Sequence, residues 1–253
     1  MKLTFLVTAL LLGLGWMLAS CGNGYPPVHE PPTPTIVEEA IPPIEEEAVD
    51  TLQKTYDDAE DTVMYQSFAF VSQPIPNEVE QRMKGCSLPD SAAITIDQLR
   101  YLTLPYYDYD GNIKTGEMVC NKAIAHDLLC VFKDLFSQAY PIFSIRLVDD
   151  YDADDEASMQ ANNTSCFNYR NRTGIKMLSQ HAYGMAVDIN PLQNPCVRGT
   201  RFRPSTAAEY VDRSKDFEHK IDQDDYCVKV FTSYGFRWGG RWASTKDYQH
   251  FEK

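Results

Sequence analysis

The stretch Ser179–Pro191, "SQHAYGMAVDINP", sets a histidine and an aspartate seven residues apart around a glycine and an apolar run. In an unbroken strand, side chains seven apart point to opposite faces, so His181 and Asp188 converge on one atom only if the chain bends between them. Gly184 is where that bend is cheap, because glycine reaches backbone conformations closed to other residues. Beyond it, Gly184–Ile189 alternates with a strand's period of two and predicts a short strand carrying Asp188. An imidazole and a carboxylate are two of the three protein ligands of a typical catalytic zinc, which sends the search outward for a third.

The chain has five histidines. His29 lies in a proline-rich segment, His126 falls opposite the apolar stripe of a predicted helix, and His219 sits among charges in "SKDFEHKID". That leaves His250, near Tyr248 and Phe251 in the closing stretch "GFRWGGRWASTKDYQHFEK". Asp247, three residues earlier, reaches water held at such a site if the intervening residues turn, which makes it a candidate general base. Spacing alone leaves two readings open. His181, Asp188 and His250 bind a metal with a free acid beside them, or the histidines are packed and hydrogen-bonded among aromatics for structural reasons.

The neighbouring segments supply a scaffold. "NKAIAHDLLCVFKDLFSQAY", from Asn121 to Tyr140, puts Ile124, Leu128, Val131, Leu135 and Ala139 on one stripe and stops before Pro141, predicting an amphipathic helix. After it, Phe143, Ile145 and Leu147 alternate with Ile142, Ser144 and Arg146, as a strand facing that helix would. A second helix is predicted over about Asp224 to Tyr234 with Gly235 as its stop, and Tyr248 to Glu252 alternates as a strand. Together these predict an α+β fold: a small, mainly antiparallel sheet flanked by helices. The acidic run from Asp149 to Glu156 is not an EF-hand. Begun at Asp150, that loop requires glycine sixth and glutamate twelfth, where Asp155 and Ala161 stand. It reads as a solvated turn into a short helix capped by Asp154 or Asp155.

With 253 residues, 43% hydrophobic and 12% aromatic, the chain suits one ordinary globular domain with appendages. Acidic residues outnumber basic ones 36 to 23, which argues against general affinity for nucleic acid or an anionic membrane surface. Residues 1–20 read as a signal peptide: a lysine, then an apolar run too short for a confident spanning helix. Its end, "LASCG", resembles the lipobox of bacterial lipoproteins, which implies lipidation of Cys21 and a mature chain anchored in the cell envelope rather than spanning a membrane. Residues 21–67 are rich in proline and glutamate without sustained periodicity and read as a tether, leaving 68–253 for the folded domain. Cys86, Cys120, Cys130, Cys166, Cys196 and Cys227 are an even set that permits disulfides in an exported protein without requiring them. If Cys120 and Cys130 share the predicted helix, they lie about 280° apart around it and do not bond each other.

The opening stretch is similar to the S-x-H-x-x-G-x-A-x-D pattern, and "WGGRW…DYQHF" to the W-G-G-x-W…D-x-x-H-F ending, of the M15 metallopeptidases, the D-alanyl-D-alanine carboxypeptidase and VanY-like group. "LRYLTLPYYDYDG" near Leu99, "DYDADDEASMQANNTSCFNYR" ending at Arg170 and "NPLQNP" resemble the branch with a longer N-terminal portion, so the likeness runs from about Phe68 to the C-terminus. The resemblance implies Zn²⁺ on His181, Asp188 and His250, Asp247 as catalytic acid/base, and a site in an open groove. Many relatives have glutamate at the position of Asp247, while aspartate also occurs in endopeptidase-like members, which leaves the substrate subclass open. Arg170 is a candidate for the substrate's carbonyl or terminal carboxylate, or a salt bridge to the acidic run. Ser179 is a candidate for substrate backbone, or it starts the strand. Trp238 and Trp242 line the groove or pack in the core.

The expected activity is zinc-dependent hydrolysis of peptidoglycan stem peptides, as a D,D-carboxypeptidase or an endopeptidase. The alternative is a non-catalytic wall-binding or interaction domain on the same fold. The expected partners are stem peptides and, through the lipid anchor only, a membrane. No nucleic acid is expected, and the chain is expected to be a monomer on the periplasmic or cell-surface side.

Overall fold

The computed structural model describes residues 69–172, 174 and 176–253. The signal peptide expected at 1–20, the lipidation expected at Cys21 and the tether expected at 21–67 lie outside the described residues. The longest ladder belongs to a sheet in which β1 (Val71–Gln73), β2 (Leu99–Tyr107) and β3 (Ile113–Asn121) run antiparallel in that order. Asp108 closes the β2–β3 turn by accepting the Asp110 and Asn112 N–H groups on Oδ1, at 3.0 and 2.8 Å. Sequence alternation does not expose this hairpin, for a physical reason: both faces are covered. Leu102, Leu104 and Met118 enter the main core, while Leu99 and Val119 join Val79 and Met83 of α1 (Asn77–Met83) and Phe167 on the other side. A strand buried on both faces loses its period of two.

Helix α2 (Ala125–Ser137) buries Ala125, Leu128, Val131, Phe132 and Leu135 against that sheet, as the stripe predicts. Ala139 departs from it, lying exposed past the helix end at φ 48°. The strand predicted after Pro141 shrinks to β4 (Ser144–Ile145). Ile145 and Leu147 are buried and Arg146 exposed in the predicted phase, but at the start of the run the order is reversed, with Ile142 1% exposed and Phe143 48%. The Ile142 N–H is taken by the Tyr107 carbonyl and that of Phe143 by Asn190 Oδ1, so no regular ladder forms there. Helix α3 (Asp155–Gln160) starts where the acidic run predicts: Asp154 Oδ1 accepts from the Glu156 and Ala157 N–H groups at 2.8 and 3.1 Å. Parallel pairing of β4 with β5 (Asn163–Thr164) completes this part.

The C-terminal portion contains β6 (Ala186–Asp188), β7 (Cys196–Arg198), β8 (Arg201–Arg203), α4 (Tyr226–Ser233), β9 (Arg237–Trp238), β10 (Lys246–Asp247) and β11 (His250–Glu252). They form two antiparallel sheets, β6-β11-β9 and β10-β7-β8. The fold is α+β, with mainly antiparallel strands spread over several small sheets. Asp225 caps α4 by accepting the Cys227 N–H at 2.7 Å, and Gly235 follows it at φ 83°, the left-handed stop its position predicts. Aromatic rings tie the helices to the site. Phe132 of α2 meets Phe231 of α4 edge-on at 6.5 Å, and Phe231 stacks on Phe251 of β11 at 4.2 Å. Burying each ring contributes about 2 kcal/mol, and Phe251 adjoins His250. Cys120 lies in β3 rather than on the helix with Cys130, and all six cysteines are free thiols.

Candidate metal centre

The bend between His181 and Asp188 is a single 3-10 turn, Gln180–Tyr183, instead of a bent strand. Ser179 caps it: its Oγ accepts the His181 N–H at 3.3 Å. Gly184 then turns the chain into β6 at φ 65°. A Cβ there would lie 2.6 Å from the Asn121 nitrogen, whose N–H donates to the Gly184 carbonyl. The end of the β3 strand thus fixes where His181 begins and where Asp188 follows. His250 arrives from β11, directly opposite Asp188 in register.

The three side chains meet. One donor atom of each lies within 4.8 Å of the others, and all three residues are buried. His181 Nε2 stands 3.2 Å from His250 Nδ1, and Asp188 Oδ1 is 3.3 Å from the first and 2.9 Å from the second. The remaining nitrogens are committed elsewhere. His181 Nδ1–H donates to the Cys166 carbonyl at 2.6 Å and His250 Nε2–H to Glu252 Oε2 at 3.3 Å. Because a carbonyl only accepts, this fixes the His181 tautomer and turns the Nε2 lone pair toward Asp188. Two imidazole nitrogens and one carboxylate oxygen facing a common point are a donor set that suits a divalent metal, and the group can hold one.

Electrostatics agree with the geometry. Burial alone would raise the Asp188 carboxyl, but in the metal-free site protonated His181 and His250 beside it hold it far below the ordinary carboxylate range. Asp247, on β10, is half-buried, and the enclosure of its carboxyl pushes it up to about 6, with the Asp188 charge adding and His250 opposing. Asp247 Oδ1 has no hydrogen-bond partner among the described residues, an expensive condition for a buried carboxylate oxygen. Gly239 makes room for it: a Cβ at that position would lie 2.7 Å from the Asp247 carbonyl and 3.3 Å from His250 Cβ.

All four residues open into a groove of about 930 Å³. Residues 173–253 match the family model described as D-alanyl-D-alanine carboxypeptidase, within the M15 peptidases. The C-terminal segment is thus similar to the M15 peptidases. No curated protein and no solved structure matches the chain. The matched segment holds His181, Asp188, Asp247 and His250, while the likeness read from Phe68 onward lies N-terminal to it up to residue 172.

Arg170 lines this groove with its Nη2 2.6 Å from Asp155 Oδ1, so it makes the salt bridge to the acidic run while facing the site. Its buried Nε has no partner among the described residues. Ser179 also lines the groove, as a cap on a turn rather than the start of a strand. The two tryptophans divide. Trp242 walls the groove, its ring 5.2 Å from that of His250, and Trp238 is core, its Nε1–H donating to the Tyr248 carbonyl at 2.8 Å. Of the other acids of the run, Asp149 is engaged by Ser87 and Asp150 by Arg82 and Arg146. Sequence reasoning missed Glu252, whose signal was available: two residues beyond His250 in a strand, it shares that residue's face.

Proposed function

We propose that the protein is a zinc-dependent peptidase acting on peptidoglycan stem peptides, as a D,D-carboxypeptidase or endopeptidase, held at the bacterial envelope through a lipid on Cys21. The observation that carries it is the buried His181, Asp188 and His250 cluster beside Asp247, whose Oδ1 has no hydrogen-bond partner among the described residues, in the segment that matches the M15 family model. A zinc ion held by the three residues supplies Lewis acidity, polarising a carbonyl and acidifying water.

The chain's own residues do the rest. Asp247, half-buried at the groove wall, holds a carboxylate ready to take a proton from the attacking water and hand it to the leaving amine. Arg170, braced by Asp155, presents its guanidinium to a carbonyl or terminal carboxylate of the peptide. Trp242 walls the groove beside His250, and Ser179 holds the turn that carries His181. Metal analysis and stem-peptide digestion of the purified protein, followed by mass spectrometry, test the reading. About one zinc per chain and release of a terminal D-alanine support the carboxypeptidase, and an internal cut supports the endopeptidase. Zinc with no cleavage of any stem peptide overturns both in favour of a binding domain.

A further inference from the structure

The groove carries positive charge that the catalytic reading does not use. In a chain of net charge −13, Arg198 and Arg201 line the groove and stand directly opposite each other in the β7–β8 pair, on the two sides of Gly199 and Thr200. Like charges facing across strands repel, and a nearby acid normally relieves them. Here no Asp or Glu among the described residues pairs with either one. Arg170, Arg203 and Arg237 of the same groove differ in this respect: Asp155 binds both Arg170 and Arg203, and Glu252 binds Arg237.

The register says where these charges lie. Asp247 pairs with Cys196, and Arg198 is two residues beyond Cys196 on β7, hence on the same face and about 7 Å along the strand. Arg201 shares that face as the cross-strand partner of Arg198. The face that presents Asp247 therefore continues into a pair of guanidinium groups a short length of extended peptide away.

We propose that Arg198 and Arg201 form a subsite for a second carboxylate of the substrate, separate from the bond that is cut, so that the groove selects peptides carrying a free carboxylate over their carboxamide forms. Paired guanidinium forks match a carboxylate in shape and charge. An arriving anion also removes the repulsion between them. The inference rests on the peptidase reading for the identity of the ligand.

The test compares L-Ala-γ-D-Glu-L-Lys-D-Ala-D-Ala with the same peptide bearing D-isoglutamine, which differs by one carboxylate. Wild type is expected to favour the carboxylate peptide in kcat/KM by about tenfold, the size of one charge-assisted contact. R198Q/R201Q is expected to lose that preference through KM while its rate on the carboxamide peptide stays unchanged, and R198K/R201K to restore part of it. Equal loss on both peptides, or a preference that survives R198Q/R201Q, overturns the subsite while leaving the peptidase intact. Calorimetric binding of both peptides to chelator-treated protein separates the two ideas. If wild type cuts neither peptide, the peptidase reading falls. The subsite then stands on a carboxylate preference in binding that R198Q/R201Q abolishes, and falls without one.

Discussion

His250 stands directly opposite Asp188 in the β6–β11 pair, with its Nδ1 2.9 Å from Asp188 Oδ1. The pairs beside it, Phe251 with Val187 and Glu252 with Ala186, lock this register. A slip by one residue would turn both side chains to the other face, so strand pairing itself assembles two of the three donors. The third comes from a turn, and its orientation depends on the Cys166 carbonyl and the Ser179 cap.

Removing a donor is expected to remove the metal. H181A and D188N should bind zinc more than about 100-fold more weakly than wild type, since losing even an outer partner of a metal site costs 10–100-fold. Chelator competition measures it. Wild-type affinity in either variant would mean that these residues do not hold the metal.

Asp247→Ala should separate binding from turnover. Zinc content and affinity are expected to stay at the wild-type level while kcat falls by about 10² to 10⁴, the usual contribution of a positioned base. Metal analysis beside a progress curve of D-alanine release checks both halves. Unchanged kcat would reassign the base.

Glu252 is expected to matter through His250. It accepts from His250 Nε2 at 3.3 Å and is itself held by Arg237 Nη2 at 2.7 Å, so it orients the imidazole without facing the centre. Glu252→Ala should weaken zinc binding by about 10- to 100-fold and leave the folded core intact by circular dichroism. Unaltered zinc affinity would show that the strand alone positions His250.

How much of this was legible in the sequence follows from what each residue depends on. The His181, Asp188 and His250 grouping was readable because few histidines compete and a glycine marks the bend. The α2 stripe and the Asp154 cap were readable because local spacing decides them. The β2–β3 hairpin was not, because burial on both faces erases the alternation that a solvated face imposes. The run after Pro141 was misphased only at Ile142 and Phe143, whose N–H groups go to Tyr107 and Asn190, partners remote in sequence. The bend itself was located at Gly184, but a 3-10 turn rather than a strand precedes it.

Asp247 gives the metal-free protein a signed response to pH. Its folded pKa, raised to about 6 by burial, lies above its unfolded value near 3.8, so it binds its proton more tightly when folded. That contribution is complete below about pH 4 and is lost as pH rises through 6, on the order of 3 kcal/mol in all. D247N stays neutral throughout. In chelator-treated samples, the Tm of D247N relative to wild type should therefore rise between pH 4 and 7. A constant difference across that window would mean that Asp247 titrates normally. In the zinc-loaded enzyme the nearby cation favours the carboxylate, so the acid limb of kcat/KM should fall no higher than about pH 6.

Gly239→Ala tests whether the room beneath the site matters. The added methyl would meet the Asp247 carbonyl at 2.7 Å and its Cβ at 2.9 Å, contacts that only a shift of backbone relieves. The shift displaces Asp247 and His250 together, since both lie against this glycine. Overpacking of this kind costs about 1–3 kcal/mol, so Tm should fall by several degrees. Because catalytic geometry is less forgiving than folding, kcat should fall by about 10² for a displacement near 1 Å. Thermal melts and D-alanine release on the same sample compare the two effects. A variant that melts lower but turns over normally would show that the backbone yields away from Asp247, and one with neither effect would remove Gly239 from the account of the site.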